Sequence, residues 1–336
     1  VVKKMVLNMG IPVLIFVLIY FAVAAVLIIR GKPKKGSSER GGLAFKELLL
    51  DYYSIPQLTG FRARDGKQLL YRHYPAQSNK VIVLLHGSGW HSRYFLPLAE
   101  FISTQGLAHV YTPDLRGHGS APERRGDIDY IGQLEDDLAD FISMIRKNNP
   151  SARIIVGGHS SGGGLAVRFG GSKYGHEAEA YMLLSPYLQY NAPTTRPNSG
   201  GWARPYTMRI IGLVLLNNVG IRWFNSLTVI DFNMPEAVRD GTETLSYTYR
   251  LNASYASHDY KKDLHAITQP LLVAVGSEDE VSYPDQFQKV ISKSTRARVA
   301  LLPGVTHMGV VVSPKIQPVV KEWLETLEAT RTEKNT

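Results

Sequence analysis

The segment Gly158-His159-Ser160-Ser161-Gly162 constrains this chain more than any other five residues. It directly follows the apolar, β-branched run Arg153-Ile-Ile-Val-Gly157 and precedes the small-residue run Gly163-Gly-Leu-Ala-Val167, so it reads as a strand, a tight turn and a helix in succession. A turn that sharp leaves no room for bulk beside its apex, which is why glycines stand two before and two after Ser160. The hydroxyl is pushed clear of the sheet, making Ser160 the candidate nucleophile. Ser161, one residue on, is better placed to lend its backbone N–H to an oxyanion hole at the helix N-terminus.

With 336 residues at 44% hydrophobic content, the chain can bury one large domain with an insertion. Its formal net charge of +9 invites a nucleic-acid reading. Yet Lys3, Lys4, Arg30, Lys32, Lys34, Lys35 and Arg40 face the single acid Glu39 in the first forty residues, so most of the excess flanks one apolar segment. Such charge forms no groove and is not interleaved with aromatics, which argues against a DNA or RNA partner. The lack of cysteine excludes disulfides, thiolate metal sites and a cysteine nucleophile, and leaves the redox compartment open.

Met5 to Ile29 is uncharged over 25 residues, long enough at 1.5 Å per residue to cross a hydrocarbon core of about 30 Å with some tilt. The expected organisation is a transmembrane anchor over 5–29, a basic linker over 30–50 and a catalytic domain over 51–330. A cleaved signal peptide is the rival, supported by Lys3, Lys4 and Ala22-Val23-Ala24, but apolar residues continue to Ile29 and a basic cluster follows. Five basic residues after the span against two before it favour a membrane protein with a cytoplasmic catalytic domain, export being the alternative.

Beyond the linker, 58–64 and 68–74 flank Asp65-Gly66 as a hairpin. Apolar strands then follow at 81–85, 107–112, 153–157, 180–184, 271–275 and 297–302, separated by helical stretches near 96–104, 130–147, 161–170, 284–294 and 315–329. This alternation predicts an α/β fold with a doubly wound, mostly parallel sheet. Residues 187–262, rich in Tyr, Trp and Asn with an apolar helical segment at 208–216, interrupt it as an inserted cap.

A serine hydroxyl needs a histidine base, itself oriented by a carboxylate. On a fold of this kind the order is serine, then an acid after a late strand, then a histidine before the last helix. Asp279 follows the run 271–276, and His307 follows 300–304. Glu278 and Glu280 are rival acids whose ordinary role is a solvated loop. His118 and His159 are expected to hold loops in place. The loop after the strand at 81–85, His86-Gly87-Ser88-Gly89, supplies the second oxyanion donor, with the backbone N–H of Ser88 the first choice. The same loop nearly matches a dinucleotide fingerprint, with Asp114 ending the next strand, but its third glycine is Ser92 and the spacing to Asp114 is long. No H-E-x-x-H helix is present, so neither metal nor cofactor is expected.

With these residues in place, the chain resembles the α/β-hydrolase superfamily, most closely its monoacylglycerol lipase and lysophospholipase branch, over roughly 55–330. His86-Gly87-x-Gly89-x-His91-Ser92-x-x-Phe95, with Tyr94 nearby, is similar to the branch's HGxGxHSxRY stretch, although Arg93-Tyr94 arrive one position early. Asp114-Leu-Arg-Gly117-His118-Gly119 resembles its DxxGHGxS loop, with Ser120 also one position early. The resemblance implies the catalytic roles of Ser160, Asp279 and His307 and an inserted cap on an α/β-hydrolase fold. It implies hydrolysis of a small-molecule carboxylic ester or lipid by acyl-enzyme chemistry. Trp202, Tyr206, Leu213, Trp223 and Phe224 are candidates for an acyl pocket, with packing of the cap itself as their competing role. A serine peptidase or acyltransferase on the same triad, and a non-catalytic binding protein, remain as alternatives. Nothing in the sequence sets an oligomeric state.

Overall fold

The computed structural model describes residues 2–31 and 42–332. In chain order its elements are α1 (Val2–Arg30), β1 (Thr59–Arg62), β2 (Gln68–Tyr74), β3 (Lys80–Leu85), α2 (Leu96–Thr104), β4 (His109–Pro113), α3 (Gln133–Asn148), β5 (Arg153–His159), α4 (Ser161–Gly170) and β6 (Ala180–Leu184). There follow β7 (Ala203–Pro205), α5 (Thr207–Asn218), β8 (Thr228–Phe232), β9 (Ser246–Thr248), α6 (Tyr249–Tyr255), α7 (Tyr260–Ala266), β10 (Leu271–Gly276), α8 (Phe287–Ile291), β11 (Arg298–Leu302), α9 (Gly309–Val312) and α10 (Gln317–Thr332).

Eight strands form one sheet in the order β1-β2-β4-β3-β5-β6-β10-β11. Pairings of β1 with β2 and of β2 with β4 are antiparallel, and the rest are parallel. At the expected hairpin, Thr59 pairs with Tyr71 and Arg62 with Gln68, while Gly66 takes φ +82° in the turn. Every residue of β3, β6 and β10 is buried. Near-continuous apolar runs of this kind mark parallel strands covered on both faces. The covers are two helix groups, α2 with α9 and α10, and α4 with α3, α6 and α7.

The path of the chain places the site. From β3 it moves outward to β4, then returns to the other side of β3 as β5. The crevice at the carboxyl ends of β3 and β5 is therefore a topological switch point, where open α/β sheets bind their ligands. The loop at 86–89 and the turn at Ser160 both open there.

Some expectations shift. The helix foreseen at 130–147 begins later, at Gln133, because Gly132 precedes it in a left-handed conformation of φ +104°. The one foreseen at 284–294 is a 3₁₀ turn, Pro284–Gln286, followed by α8, which stops at Ile291. Ser292-Lys293-Ser294-Thr295 offers no apolar side chain to hold another turn. Of the linker foreseen at 30–50, residues 32–41 lie outside the described residues. Residues 43–50 do not run free: Leu43, Phe45 and Leu48 are buried in the main core, the last two on a 3₁₀ turn. Packing thus begins ahead of residue 51.

The insertion at 187–262 carries a separate antiparallel sheet, β7-β8-β9, together with α5. Leu213, Val229 and Tyr249 form a second small core there. Within α1, Ile11–Arg30 has a mean hydropathy of 3.0 and is apolar and long enough to cross a membrane. This helix packs against α5.

Candidate active site

β5 ends at His159 and α4 begins at Ser161, leaving Ser160 alone at the turn with φ +54° and ψ −123°. For a residue with a side chain, such a backbone costs on the order of 1–3 kcal/mol and persists only where its surroundings enforce it. Here they do. The Ser160 N–H donates to Leu184 O at 3.0 Å, and its carbonyl accepts from the Tyr187 N–H at 2.9 Å. The two flanking glycines are required by close backbone approach. A Cβ on Gly158 would stand 2.2 Å from Gly162 O, and one on Gly162 would stand 2.1 Å from Leu85 O. Because the obstacle is backbone of β3, Gly162→Ala is expected to destabilise the fold by about 3 kcal/mol, the upper part of the overpacking range. Urea unfolding measures it, and a loss near zero would show that the elbow closes less tightly on β3 than described.

The loop after β3 faces this turn. A Cβ on Gly87 would lie 3.1 Å from Ser160 Cβ. Of three consecutive amides in the loop, Gly87 N–H donates to the Tyr94 hydroxyl at 2.7 Å and Gly89 N–H to the Tyr247 hydroxyl at 2.9 Å. Among the described residues, the N–H groups of Ser88 and Ser161 have no protein acceptor. Those two are the pair read from the sequence as oxyanion donors. Their side chains also meet, Oγ to Oγ at 2.8 Å.

Asp279 and His307 are brought together from the turns after β10 and β11. The His307 Nδ1–H donates to Asp279 Oδ2 at 2.8 Å, and this partner assigns the tautomer, leaving Nε2 as the basic nitrogen. Asp279 Oδ1 accepts from the Val281 and Ser282 amides, both at 2.9 Å. Burial opposes the charge on Asp279, but His307 and these donors outweigh it and hold the carboxyl well below its ordinary value. Burial likewise works against a charged His307, yet the facing Asp279 carboxylate raises its pKa above 6.5. The rival acids separate cleanly. Glu278 is exposed, and Glu280 is spent on backbone, accepting from Ala44 N–H at 2.7 Å and His307 N–H at 2.9 Å. Among the described residues, no hydrogen bond joins the Ser160 hydroxyl to His307, although both flank His159.

His159 ties the parts to one another. Its Nε2–H donates to His307 O at 3.0 Å, so its Nδ1 accepts from the Tyr94 hydroxyl at 3.0 Å, and that hydroxyl in turn receives the Gly87 amide. Burial first, and the neighbouring His307 second, push its pKa down to about 3, keeping the ring neutral. His118 works in the same way from the cap side. Its Nδ1–H donates to Arg116 O at 3.1 Å, and its Nε2 accepts from Tyr247, which holds Gly89, at 2.6 Å. Asp114 is buried, accepting from the Ser92 N–H at 2.9 Å. It braces the loop. Tyr247 is a contact to this loop that sequence reasoning did not single out, and Tyr94, quoted there as part of the motif, had been given no role.

Of the five cap residues proposed for an acyl pocket, only Trp202 reaches the site. Its ring packs 3.1 Å from the position of a Gly89 Cβ and lies against Phe45 and Phe232. Tyr206 spends its hydroxyl on Asp231. Leu213 is buried in the small cap core. Trp223 and Phe224 point outward, 87% and 47% exposed.

Residues 76–310 match the family described as serine aminopeptidase, S33. The chain belongs to this family. Human monoglyceride lipase is 25% identical over 241 residues, 69% of this chain and 75% of that protein. A monoacylglycerol lipase of Mycolicibacterium smegmatis is 31% identical over 128 residues, 38% of this chain and 45% of that one. Proline iminopeptidase of Saccharolobus solfataricus is 24% identical over 298 residues, covering 81% and 94%. Among solved structures, a soluble variant of Saccharomyces cerevisiae monoglyceride lipase superposes with a TM-score of 0.60 at 18% identity, over 88% of this chain and 99% of that one. The chain therefore has the α/β-hydrolase fold, is of the monoglyceride lipase branch and is a serine ester hydrolase.

Proposed function

We propose that the protein is a membrane-anchored lipid esterase that cleaves a monoacylglycerol or a similar single-chain carboxylic ester. The observation that carries the mechanism is the His307–Asp279 pair at 2.8 Å, set beside the strained Ser160 turn. Ser160 Oγ attacks the ester carbonyl carbon while His307 Nε2 takes its proton, and Asp279 steadies the imidazolium. The Ser88 and Ser161 amides receive the oxyanion. Collapse breaks the ester C–O bond as His307 returns the proton to the departing alcohol. Water, deprotonated by the same imidazole, then attacks the acyl-enzyme, releasing the carboxylic acid and restoring Ser160.

The raised His307 pKa gives a signed expectation. Only the neutral ring accepts the serine proton, so kcat/KM for an ester should rise with pH along a limb whose midpoint lies above 6.5. A pH–rate profile checks it, and a midpoint at or below that value would contradict the pairing with Asp279.

The match over 94% of the Saccharolobus solfataricus iminopeptidase supports a second reading, cleavage of an N-terminal residue from a peptide. Comparing turnover of monoacylglycerols, p-nitrophenyl esters and amino-acyl amides separates the two, the ester reading requiring the first two to exceed the third by orders of magnitude.

The anchor reading takes α1 as retained, with the catalytic domain on the cytoplasmic face. Hydrogen bonds from Tyr20 to Leu215 O at 2.6 Å and from Arg209 to Ile28 O at 3.1 Å support it, since a cleaved leader has no lasting partner in the folded domain. Membrane sedimentation that resists alkali is the expected result.

A further inference from the structure

We infer that Arg196, in the cap, is a positioning residue for the Asp279 carboxylate, so that the cap segment 194–202 helps align the ester site. The inference rests on Asp279 and His307 being the acid and base of the reaction, and it adds what holds the acid in place.

The two ends of the acid turn are held by different parts of the molecule. On the sheet side, Ser277 N–H donates to Leu302 O and Glu278 N–H to Val305 O, both at 2.9 Å. Beyond Asp279 the support changes, and residues 281–283 pair with residues 194–196 of the cap. Thr195 and Ser282 form an antiparallel bridge. Tyr283 N–H donates to Thr194 O at 2.8 Å, and Arg196 N–H donates to Val281 O at 3.2 Å. The Arg196 side chain closes the contact. Its Nε–H donates to Ser282 O at 2.6 Å, and its guanidinium carbon lies 4.4 Å from the centre of the Tyr283 ring.

These bonds fall on the peptide groups that bind the acid. Asp279 Oδ1 accepts from the Val281 and Ser282 N–H groups. The Ser282 N–H shares a planar peptide with Val281 O, so Arg196 N–H at one end and Asp279 at the other fix one plane. The next peptide is fixed likewise, Ser282 O by the guanidinium and Tyr283 N–H by Thr194 O. A carbonyl that accepts a hydrogen bond also polarises the N–H of its own peptide, so the cap strengthens the donor that it orients. Among the described residues Arg196 has no carboxylate partner. Its charge is directed at a carbonyl oxygen, where a charge-assisted bond is about twice as strong as a neutral one.

The chain after Arg196 is built to stay against the acid turn. Asn198, Ser199, Gly200 and Gly201 all take positive φ, between 47° and 89°. Residues that carry side chains avoid such a left-handed turn and keep it only where their surroundings enforce it. Here Gly200 leaves no room for a Cβ against Glu280 O. Two residues on, the Trp202 ring packs 3.1 Å from the position of a Gly89 Cβ. One short cap segment thus touches both the acid turn and the oxyanion loop.

Kinetics of full-length variants on a p-nitrophenyl ester across pH test this. Arg196→Ala is expected to lower kcat by about 30- to 100-fold, the effect of an ångström-scale misplacement, while KM changes by less than about twofold. The acid limb of the pH profile should move down. His307 is faced by Asp279, Glu280 and His159, and a loosened Asp279 carboxylate raises its pKa less. Loss of a nearby positive charge alone would move the limb up. Arg196→Lys keeps the cation and one donor and should stand only about three- to tenfold below the parent, with the limb moved the same way. In an Asp279→Asn background, Arg196→Ala should cost no more than about twofold, since it acts through that carboxylate. Arg204→Ala removes a cap arginine paired with Asp231, not with the acid turn, and should keep the parent kcat and limb. Parent-level kcat in a folded Arg196→Ala, or in Arg196→Lys where the alanine chain does not fold, would overturn the positioning role and leave the triad standing. So would an upward limb, an undiminished loss in the Asp279→Asn background, or an equal loss in Arg204→Ala. Unchanged kcat in Asp279→Asn alone would overturn both.

Discussion

Replacing Ser160 by alanine is expected to reduce ester turnover by about 10⁴- to 10⁶-fold while leaving the fold and its unfolding transition unchanged. The remaining catalysis would come from binding and the two oxyanion amides alone. His307→Ala should fall in the same range. Since nucleophile and base act as one unit, the double variant should be hardly slower than either single one. Steady-state kinetics on a p-nitrophenyl ester measures all three. A double variant slower than each single variant by another factor of a thousand or more would show that the two side chains act independently. Ser161→Ala should cost little by comparison, because its amide and not its hydroxyl is given a role.

The second large effect concerns the acid. Asp279→Asn is expected to lower kcat by about 10⁴-fold, because the amide no longer fixes the His307 tautomer or stabilises the imidazolium. It should also shift the acid limb of the pH profile downward, since the carboxylate is what raises the His307 pKa. Glu278→Gln should do almost nothing, as that side chain is exposed. Glu280→Gln keeps an acceptor for the Ala44 and His307 amides and should cost less than tenfold. If Glu280→Gln proved as severe as Asp279→Asn, the acid would have to be reassigned.

The parts of this site that were legible in the sequence are those written locally. An elbow is five consecutive residues with glycines that sterics require, and the acid and histidine loops each follow a recognisable apolar strand. The amide pair at Ser88 and Ser161 was legible for the same reason. Tyr247 was not, because its hydroxyl reaches Gly89 only once segments 158 residues apart meet; Tyr94 was visible as part of the loop motif, but its bond to the Gly87 amide was not. Aromatic content in the cap suggested a pocket, but a side chain's type does not say which way it faces, and Trp223 and Phe224 face out. The basic cluster at 30–40 drew the domain boundary too late, hiding Leu43, Phe45 and Leu48, whose burial depends on partners such as Trp90 and Trp202. The close crossing of α1 on α5 has the same character. A Cβ on Gly212 would stand 2.8 Å from Ala24 O, a contact between segments far apart in the chain.

The measurement closest to the central claim is the site of covalent attack. Active full-length protein is treated with a serine-directed fluorophosphonate, activity is followed to completion, and the adduct is mapped by peptide mass spectrometry. The account predicts complete loss of activity with a single adduct on Ser160, no adduct in His307→Ala over the same interval, and protection by an excess of monoacylglycerol. An adduct on Ser88 or Ser161, or full inactivation resistance in a protein that still turns over esters, would contradict it.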